Sequence, residues 1–263
     1  MKLIKKKSLG QHFLSDKSAV SKIVNSADIK QNNCVLEIGP GAGAITNDIY
    51  SLKPKRLVLI EKDKRFYEEL LLKYPDAKIM NYDAADFDFC TLKRTGDEFT
   101  VVGNLPYNVS TVILERLVAH KELFSKMILM FQKEVAERIL ALPNSSEYGR
   151  LSLLVEEFYE AKKVFALKPG SFSPPPKVDS MVVVFNRLKT PKVEIKDRTT
   201  YDSLLKLVFS QRRKMLRRSL RSMLTEQQVI ILQDKTGIDL QKRPQELDIK
   251  MFADLSDVIS KIA

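Results

Sequence analysis

The stretch CVLEIGPGAGA, residues 34–44, is the most informative part of this chain for its fold. It begins as a mainly apolar run of strand length and ends in closely spaced glycines. Glycine lets the backbone turn sharply and approach a ligand that a Cβ atom would exclude. Gly39, Gly41 and Ala44 also match the G-x-G-x-x-[GA] pattern of dinucleotide-binding folds, although that match alone identifies no ligand.

Strand and helix patterns alternate on both sides of this stretch, over the first 188 residues. Short apolar runs predict strands at Cys34–Gly39, Arg56–Glu61, Lys78–Tyr82, Thr100–Gly103, Lys126–Phe131, Lys163–Ala166 and Met181–Leu188. Apolar residues at helical spacing predict helices at Ala44–Leu52, Lys64–Tyr74, Val109–Ala119, Lys133–Leu140 and Arg150–Tyr159. Such alternation indicates an α/β fold, with a mainly parallel sheet covered by helices on both faces.

The pattern changes near Lys189–Lys192. From Tyr201 to Ile262 the apolar residues keep helical spacing, without convincing long strands. We therefore predict two domains, residues 1–188 and a small all-α domain of residues 189–263.

The composition excludes several classes of protein. With 263 residues, 44% of them apolar, the chain can bury one large core, or one core and a smaller satellite. No stretch approaches the roughly 20 continuous apolar residues of a membrane span, and no apolar segment of a signal peptide follows the basic start. Cys34 and Cys90 lack the spacing of a zinc site. We expect a cytoplasmic protein without a metal site or a membrane partner.

The net charge of +11 is unevenly distributed. Residues 187–225 carry 12 Lys or Arg against 3 Asp or Glu, whereas residues 226–263 carry 5 against 7. This clustering is typical of a surface that faces a polyanion, although many basic helices are simply solvated.

A predicted helix from Leu204 to Leu224 carries much of this excess. Its apolar residues keep the spacing that packing within a small domain requires. Its basic residues are Arg212, Arg213, Lys214, Arg217, Arg218 and Arg221. Such a surface can neutralise several RNA phosphates, and its contribution should weaken with salt.

Two acidic residues end the second and third predicted strands. Glu61 is placed to accept hydrogen bonds from ribose hydroxyls, and Asp83 is placed within reach of an adenine amine. Polar residues at strand ends are common, but both acids beside the glycine loop describe an adenosine site. The loop does not distinguish a dinucleotide, whose pyrophosphate needs a helix N-terminus, from S-adenosylmethionine, whose positive sulfonium favours acids and aromatic faces.

The fourth predicted strand distinguishes them, because it runs into Asn104-Leu105-Pro106-Tyr107. Hydride transfer has no use for this tetrapeptide, whereas methylation of an adenine amine does. The N6 lone pair is delocalised into the ring and attacks poorly unless acceptors bind its hydrogens. The Asn104 carbonyl oxygen and a backbone carbonyl near Leu105 or Pro106 can supply them, Pro106 adds rigidity, and Tyr107 offers a ring for stacking. The alternative is an ordinary Asn-Pro turn.

Three further motifs make the interpretation specific: SLGQHFL (Ser8–Leu14), FQKEV (Phe131–Val135) and FSPPPKVDS (Phe172–Ser180). With them, nearly the whole chain resembles the KsgA family of small-subunit ribosomal RNA adenine dimethyltransferases. The resemblance implies a class I methyltransferase fold with a small helical C-terminal domain. It also implies that two neighbouring adenosines near the 3′ end of 16S rRNA, within the 30S subunit, become N6,N6-dimethyladenosine at the expense of S-adenosylmethionine.

The resemblance also implies roles for matched positions in binding the cofactor. His12 and Leu14 would border it, and Gly39 and Gly41 would pass under its methionine part. Glu61 would hold the ribose.

The remaining implied roles concern the two adenines. Asp83 would meet the cofactor's adenine, and Asn104 would lie between cofactor and target base. Phe172 would be a second stacking partner that sandwiches the target base with Tyr107, although its residue type alone suggests a core position. His12 departs from the family pattern, since some members have Asn there.

Two other functions remain open at this level. One is an Erm-type enzyme that methylates 23S rRNA with the same cofactor; Leu105 and the Phe172–Ser180 segment favour the KsgA side. The other is an assembly factor whose binding to immature 30S subunits matters more than methylation. A monomer would suit so bulky a substrate.

Overall fold

The computed structural model describes residues 12–262. Residues 1–11, which hold part of the Ser8–Leu14 motif, and Ala263 lie outside the described residues. The contacts divide the described chain into two compact units. The first comprises residues 12–136 with Glu160–Arg187, and the second comprises Glu137–Tyr159 with residues 188–262. The sequence analysis includes Glu137–Tyr159 in the domain of residues 1–188, whereas its contacts group it with the second unit.

The helices and strands are numbered separately in chain order. The helices are α1 (Lys17–Ala27), α2 (Thr46–Ser51), α3 (Lys64–Lys73), α4 (Ser110–Ala119), α5 (Lys133–Ile139), α6 (Arg150–Glu156), α7 (Arg198–Ser210), α8 (Leu216–Leu220), α9 (Glu226–Thr236) and α10 (Ile249–Ile262). The strands are β1 (Phe13–Leu14), β2 (Cys34–Ile38), β3 (Arg56–Glu61), β4 (Lys78–Asn81), β5 (Phe99–Asn104), β6 (Phe124–Gln132), β7 (Tyr159–Leu167), β8 (Phe172–Ser173) and β9 (Ser180–Arg187).

The main sheet has seven strands in the order β4-β3-β2-β5-β6-β9-β7. Strands β2 to β6 pair in parallel, and β9 pairs antiparallel to β6. Each predicted strand corresponds to one of these seven, so the mainly parallel α/β sheet is confirmed. The chain leaves β2 towards β3 on one side and later returns to β5 on the other, which makes the carboxyl end of β2 a topological switch point where α/β folds bind ligands.

The central strands are buried because both faces of the sheet are covered. Val35, Leu36, Leu59, Val101 and Val102 have no exposed surface. Parallel strands covered on both faces appear in a sequence as continuous apolar runs, which is why the pattern predicted them.

The second unit corrects the predicted helix from Leu204 to Leu224. Helix α7 ends at Ser210 and α8 begins at Leu216. Met215 between them has extended backbone, with φ −63° and ψ 147°, and the next two backbone N–H groups donate to the carbonyls of Lys242 and Leu240. These bonds to a distant segment replace those that would have continued α7. The apolar spacing survives the break because both helices pack on the same core.

Other expectations from composition concern the cysteines and the membrane. Cys34 is buried at the start of β2, Cys90 is exposed, and both are free thiols. Within residues 12–262, every helix is too short or too polar to cross a bilayer.

Candidate cofactor and adenine site

The carboxyl ends of β2, β3 and β5 bring most of the predicted site residues together around two pockets. The first pocket is lined by Ile38, Gly39, Ile60, Glu61, Lys62, Tyr82, Asp83, Ala84, Pro106, Asn108, Val109 and Ile113. The second is lined by His12, Phe13, Gly39, Gly41, Glu61, Asn104, Leu105, Pro106 and Tyr107. The pockets share Gly39, Glu61 and Pro106, so they adjoin each other.

The glycine loop requires glycine for two reasons. Gly41 and Gly43 have φ of +54° and +84°, in the left-handed region that side chains disfavour. A Cβ atom on Gly41 would lie 2.8 Å from the Phe13 ring, and one on Gly43 would lie 2.5 Å from the Tyr74 hydroxyl. The loop therefore forms a cradle without side chains beside the second pocket.

Glu61 braces this loop from the end of β3. One carboxylate oxygen accepts a hydrogen bond from the Gly41 backbone N–H at 2.9 Å, and the other accepts from the Asp63 N–H at 2.7 Å. Burial raises the pKa of Glu61, and these two donors oppose that rise. Because each oxygen has a second lone pair, Glu61 can also accept from the hydroxyls of a ribose in either pocket.

Asp83 is held by Lys62, a residue that the sequence analysis missed. The Lys62 ammonium donates to one Asp83 oxygen at 2.6 Å, and the Ala85 backbone N–H donates to the other at 3.0 Å. Burial pushes the pKa of Asp83 upward, but these hydrogen bonds outweigh it and hold the pKa below its ordinary value. Asp83 is therefore ionised at neutral pH, so its oxygens act only as acceptors and can accept from an N–H group of a ligand. No sequence pattern marks Lys62, since its pairing depends on the adjacency of β3 and β4.

Asn104 is oriented by the backbone of His12. Its side-chain nitrogen donates to the His12 carbonyl oxygen at 2.8 Å, across 92 positions of sequence. This bond assigns the nitrogen to one side of the amide and leaves Oδ1 as the acceptor for a ligand. Since His12 acts on Asn104 through its backbone, an exchange of His for Asn at position 12 would preserve this contact.

Tyr107 is fixed on two sides. Its hydroxyl lies 2.5 Å from the Ser180 hydroxyl, and its ring stacks on the His12 imidazole with centroids 5.6 Å apart. Burial raises the pKa of Tyr107, so the hydroxyl stays neutral. The Pro106 carbonyl already accepts from the Val109 N–H at 3.1 Å, which makes Leu105 the better candidate for the predicted backbone acceptor.

Two residues of the Phe172–Ser180 motif contact side chains of this site. Ser180 contacts Tyr107, and the Pro174 carbonyl lies 2.9 Å from the His12 Nδ1. The motif therefore contributes one hydroxyl and one backbone carbonyl to the arrangement.

Among the predicted cofactor-binding and catalytic residues, all of which the structure describes, Leu14 and Phe172 are the two that line neither pocket. They pair between β1 and β8, are 5% and 3% exposed, and belong to the hydrophobic core. Phe13, the residue before Leu14, lines the second pocket instead. Stacking of Phe172 on a base would require its ring to leave the core, so that role stays a prediction which the buried position does not favour.

Glu37, on β2, is a further residue that the sequence analysis did not single out. It is 2% exposed and lies two positions before Gly39. Burial raises its pKa to about 8, and the nearby Glu61 adds to the rise. Glu37 is therefore mainly protonated at neutral pH. The signal available in the sequence is one acid within an otherwise apolar strand.

The six predicted RNA-binding residues lie in the second unit, within residues 212–221, which we call the basic segment. Arg212, Arg213 and Lys214 lie in the turn between α7 and α8, and the other three lie on α8 or directly after it.

Three of these residues have partners. Arg212 donates to the backbone carbonyls of Ser146 and Tyr148. Arg217 and Arg221 both pair with Glu226.

The other three residues of the basic segment are unpaired. Arg213, Lys214 and Arg218 are exposed and make no side-chain hydrogen bond or ion pair with any residue between 12 and 262. They are therefore the cations that a polyanion can reach without displacing another group.

A small cluster of metal-ligating side chains lies outside the two pockets. Within the part of the chain that the structure describes, Asp88, Cys90 and His120 are the one group whose ligand atoms converge, all within 4.8 Å of one another. Two of the three are exposed, and none lines the pockets.

Comparison with known proteins agrees with this geometry. A family model described as ribosomal RNA adenine dimethylase matches residues 3–261. The ribosomal RNA small subunit methyltransferase A of Pelagibacter ubique is 41% identical over 254 residues, which cover 94% of each chain. The protein of the same name from Clostridium botulinum (strain Kyoto / Type A2) is 38% identical over 260 residues, or 97% of this chain and 94% of the relative.

Solved structures extend the likeness to three dimensions. A dimethyladenosine transferase from Plasmodium falciparum has a TM-score of 0.76 and 28% identity, and the match covers 93% of this chain and 96% of that one. The 23S rRNA methyltransferase ErmE has a TM-score of 0.68 over 94% of this chain and 99% of its own, but at 22% identity it shows the fold alone. The class I methyltransferase fold is thereby confirmed, and the chain belongs to the ribosomal RNA adenine dimethylase family.

Proposed function

We propose that this chain transfers methyl groups from S-adenosylmethionine to N6 of two adjacent adenosines near the 3′ end of 16S rRNA, within the 30S subunit. The product is N6,N6-dimethyladenosine, and the reaction is part of small-subunit biogenesis. The observation that carries the proposal is the Asn104 amide, whose nitrogen donates to the His12 carbonyl and whose oxygen stays available in the pocket that Tyr107 also lines.

The pockets fit the proposed cofactor. Gly39 and Gly41 line the second pocket without side chains, Glu61 retains lone pairs for ribose hydroxyls, and the ionised Asp83 suits an adenine amine. When bound, S-adenosylmethionine supplies an electrophilic methyl group on a positive sulfonium.

The chain's own residues prepare the target nitrogen. Asn104 Oδ1 and the Leu105 carbonyl accept hydrogen bonds from the two N6 hydrogens, which draws the lone pair out of the ring. Tyr107 offers a flat face to a base that has left its stack. Much of the rate enhancement then comes from orientation and from dipoles aimed at the charge that develops on N6.

No general base is needed before the attack, because the proton on N6 becomes acidic once the nitrogen carries the new methyl group. After the first transfer N6 retains one hydrogen, so a single acceptor suffices to orient it for the second. The two methylations can therefore use the same residues.

The choice of 16S rRNA rests on the relatives and on Leu105 and the Phe172–Ser180 motif. The two relatives described above are named as small-subunit enzymes, whereas the ErmE likeness supports the fold alone. A bulky 30S substrate also suits action as a monomer in the cytoplasm, where ribosomes are assembled. The basic segment supports contact with rRNA phosphates.

Transfer of labelled methyl groups tests this function. We expect label from S-adenosylmethionine in unmethylated 30S subunits, with N6,N6-dimethyladenosine as the labelled nucleoside. Protein-free 23S rRNA should remain unlabelled. Label in 23S rRNA alone would assign the chain to the Erm type, and tight 30S binding without label would favour an assembly factor.

A further inference from the structure

The basic segment contains an internal counter-ion. Glu226 is the first residue of α9, and both of its carboxylate oxygens accept hydrogen bonds from arginines of this segment. One oxygen accepts from Arg217, and the other accepts from the Nη2 and Nε groups of Arg221 at 2.8 and 3.0 Å. Hydrogen bonds from these arginines hold the pKa of Glu226 below its ordinary value, so the carboxylate is charged at neutral pH.

A carboxylate in this position occupies donors that a phosphate would use. Guanidinium groups bind carboxylate and phosphate oxygens through the same fork of N–H donors. While Glu226 is in place, two arginines and one acid contribute a net charge of +1 instead of +2. The two arginines are therefore partly neutralised before any RNA arrives.

The contact is weak enough to be exchanged. The side chains of Glu226, Arg221 and Arg217 are 46%, 57% and 35% exposed. Ion pairs with this exposure contribute little stability, because water screens the charges and the long side chains lose entropy. Arg213, Lys214 and Arg218 have no such partner among residues 12–262, so RNA can meet them first.

We propose that Glu226 competes with RNA phosphate for Arg217 and Arg221 and thereby lowers the affinity of the protein for RNA. This inference rests on the proposed function, since it assumes that rRNA meets the basic segment. Arg213, Lys214 and Arg218 make the first phosphate contacts, and Arg217 and Arg221 are released when an RNA phosphate displaces Glu226. Glu226 is thus a specificity-determining residue, because only RNA that places a phosphate at this position gains both arginines.

Glu226→Gln tests the competition by removing the charge while keeping the shape. We expect this variant of the full chain to bind unmethylated 30S subunits roughly fivefold more tightly at physiological salt, in keeping with the loss of two partly exposed ion pairs. The gain should shrink as salt rises, because the released contacts are electrostatic. Binding is measured by filter retention over a salt series, and thermal unfolding confirms that the variant is folded.

Asp234→Asn is the matched control. Asp234 is an exposed acid on the same helix, two turns further on. It lines a surface pocket together with Arg217 but makes no hydrogen bond or ion pair with Arg217 or Arg221, so its replacement changes the net charge equally without breaking the arginine contacts. We expect less than a twofold change in its affinity. A second variant, Glu226→Asp, keeps the charge but is too short to reach both arginines, and it should give part of the gain.

Two results would overturn the proposal: an unchanged or weaker affinity of Glu226→Gln, or equal gains for Glu226→Gln and Asp234→Asn, which would indicate a general charge effect. Methyl transfer by the wild-type chain is measured in the same samples. Transfer without a gain for Glu226→Gln would refute the competition and leave the proposed function intact. A gain without any transfer would support the competition and refute the proposed function.

Discussion

The two pockets of the first unit and the basic segment of the second hold their polar groups in opposite ways. In the pockets, polar groups such as Glu61 and Asn104 are held by specific partners, most of them backbone atoms. In the basic segment, four of the six cations are exposed, and half of the six lack partners among the described residues. Fixed dipoles act through geometry, whereas exposed charges act at longer range and are screened by salt. Under the proposed function, the pockets therefore supply chemical precision and the basic segment supplies attraction to the substrate.

Loss of the Asn104 side chain should have the largest effect, on the chemistry of the pockets. We expect Asn104→Ala to slow methyl transfer to 30S subunits by about 10²–10³-fold, the effect of removing one preorganised polar group from an active site. Binding to 30S subunits should stay within twofold, because Asn104 lies outside the basic segment. Asn186→Ala, at an exposed position on β9, is the control and should behave as wild type. An equal loss of 30S binding by Asn104→Ala would contradict the separation.

Glu37 allows a test of burial in the pocket region through pH. Its pKa is about 8 in the folded chain and near 4.5 when exposed, so the folded state retains a proton that the unfolded state releases between these values. The contribution of Glu37 to the free energy of unfolding is therefore fully present below about pH 4.5 and is lost as pH rises towards 8. We expect Glu37→Gln to remove this loss, which is on the order of 5 kcal/mol over the whole pH range, at roughly 1.4 kcal/mol per pH unit. Denaturant unfolding of both proteins at several pH values measures it; parallel pH profiles would refute the assignment.

Gly41 tests the cradle more gently. We expect Gly41→Ala to cost about 1–3 kcal/mol of stability, from left-handed backbone and the contact with Phe13, and to weaken S-adenosylmethionine binding. Gly96→Ala is the control, since Gly96 has a φ of +79° with open space around its missing side chain. Stability is measured by thermal unfolding, and cofactor affinity is measured by calorimetric titration. The loss for Gly41→Ala beyond the loss for Gly96→Ala is the contribution of the contact with Phe13 and of the pocket. Equal behaviour of both variants would show that backbone strain accounts for everything.

The smallest expected effect is the difference between the unpaired and the paired arginines of the basic segment. We expect Arg213→Ala with Arg218→Ala to weaken 30S binding by about tenfold and to reduce the salt slope by about 1–2, because each lost phosphate contact removes roughly one released counterion. Arg217→Ala with Arg221→Ala should cost less, since Glu226 already neutralises part of that charge. Neither pair should alter cofactor binding. A larger loss for the Arg217 and Arg221 pair, in filter binding over a salt series, would reverse this ranking.

Most strands of the sheet could be predicted because local sequence patterns mark them. Buried parallel strands are apolar throughout, and the glycines after β2 mark a sharp turn. The predicted helix from Leu204 to Leu224 was wrong because backbone bonds to Leu240 and Lys242 interrupt it, and an apolar repeat does not reveal such bonds.

The residues that line the pockets could be predicted from the sequence, whereas their hydrogen-bond partners could not. Asn104, Glu61 and Asp83 line the pockets as their positions at strand ends indicated. Their partners His12 and Lys62 depend on tertiary adjacency, over 92 positions in the first case, and no spacing in the sequence encodes it. The same limit explains why β1 and β8, two residues each, were not predicted.

Single-turnover methyl transfer by the wild-type chain, followed over a range of 30S concentrations at low and at high salt, tests the central claim most directly. We expect the maximal rate of transfer to change little with salt, because fixed dipoles set it. The 30S concentration needed for half of that rate should rise steeply, because exposed charges set it. A maximal rate that falls with salt in parallel with affinity would contradict the separation of chemistry from attraction.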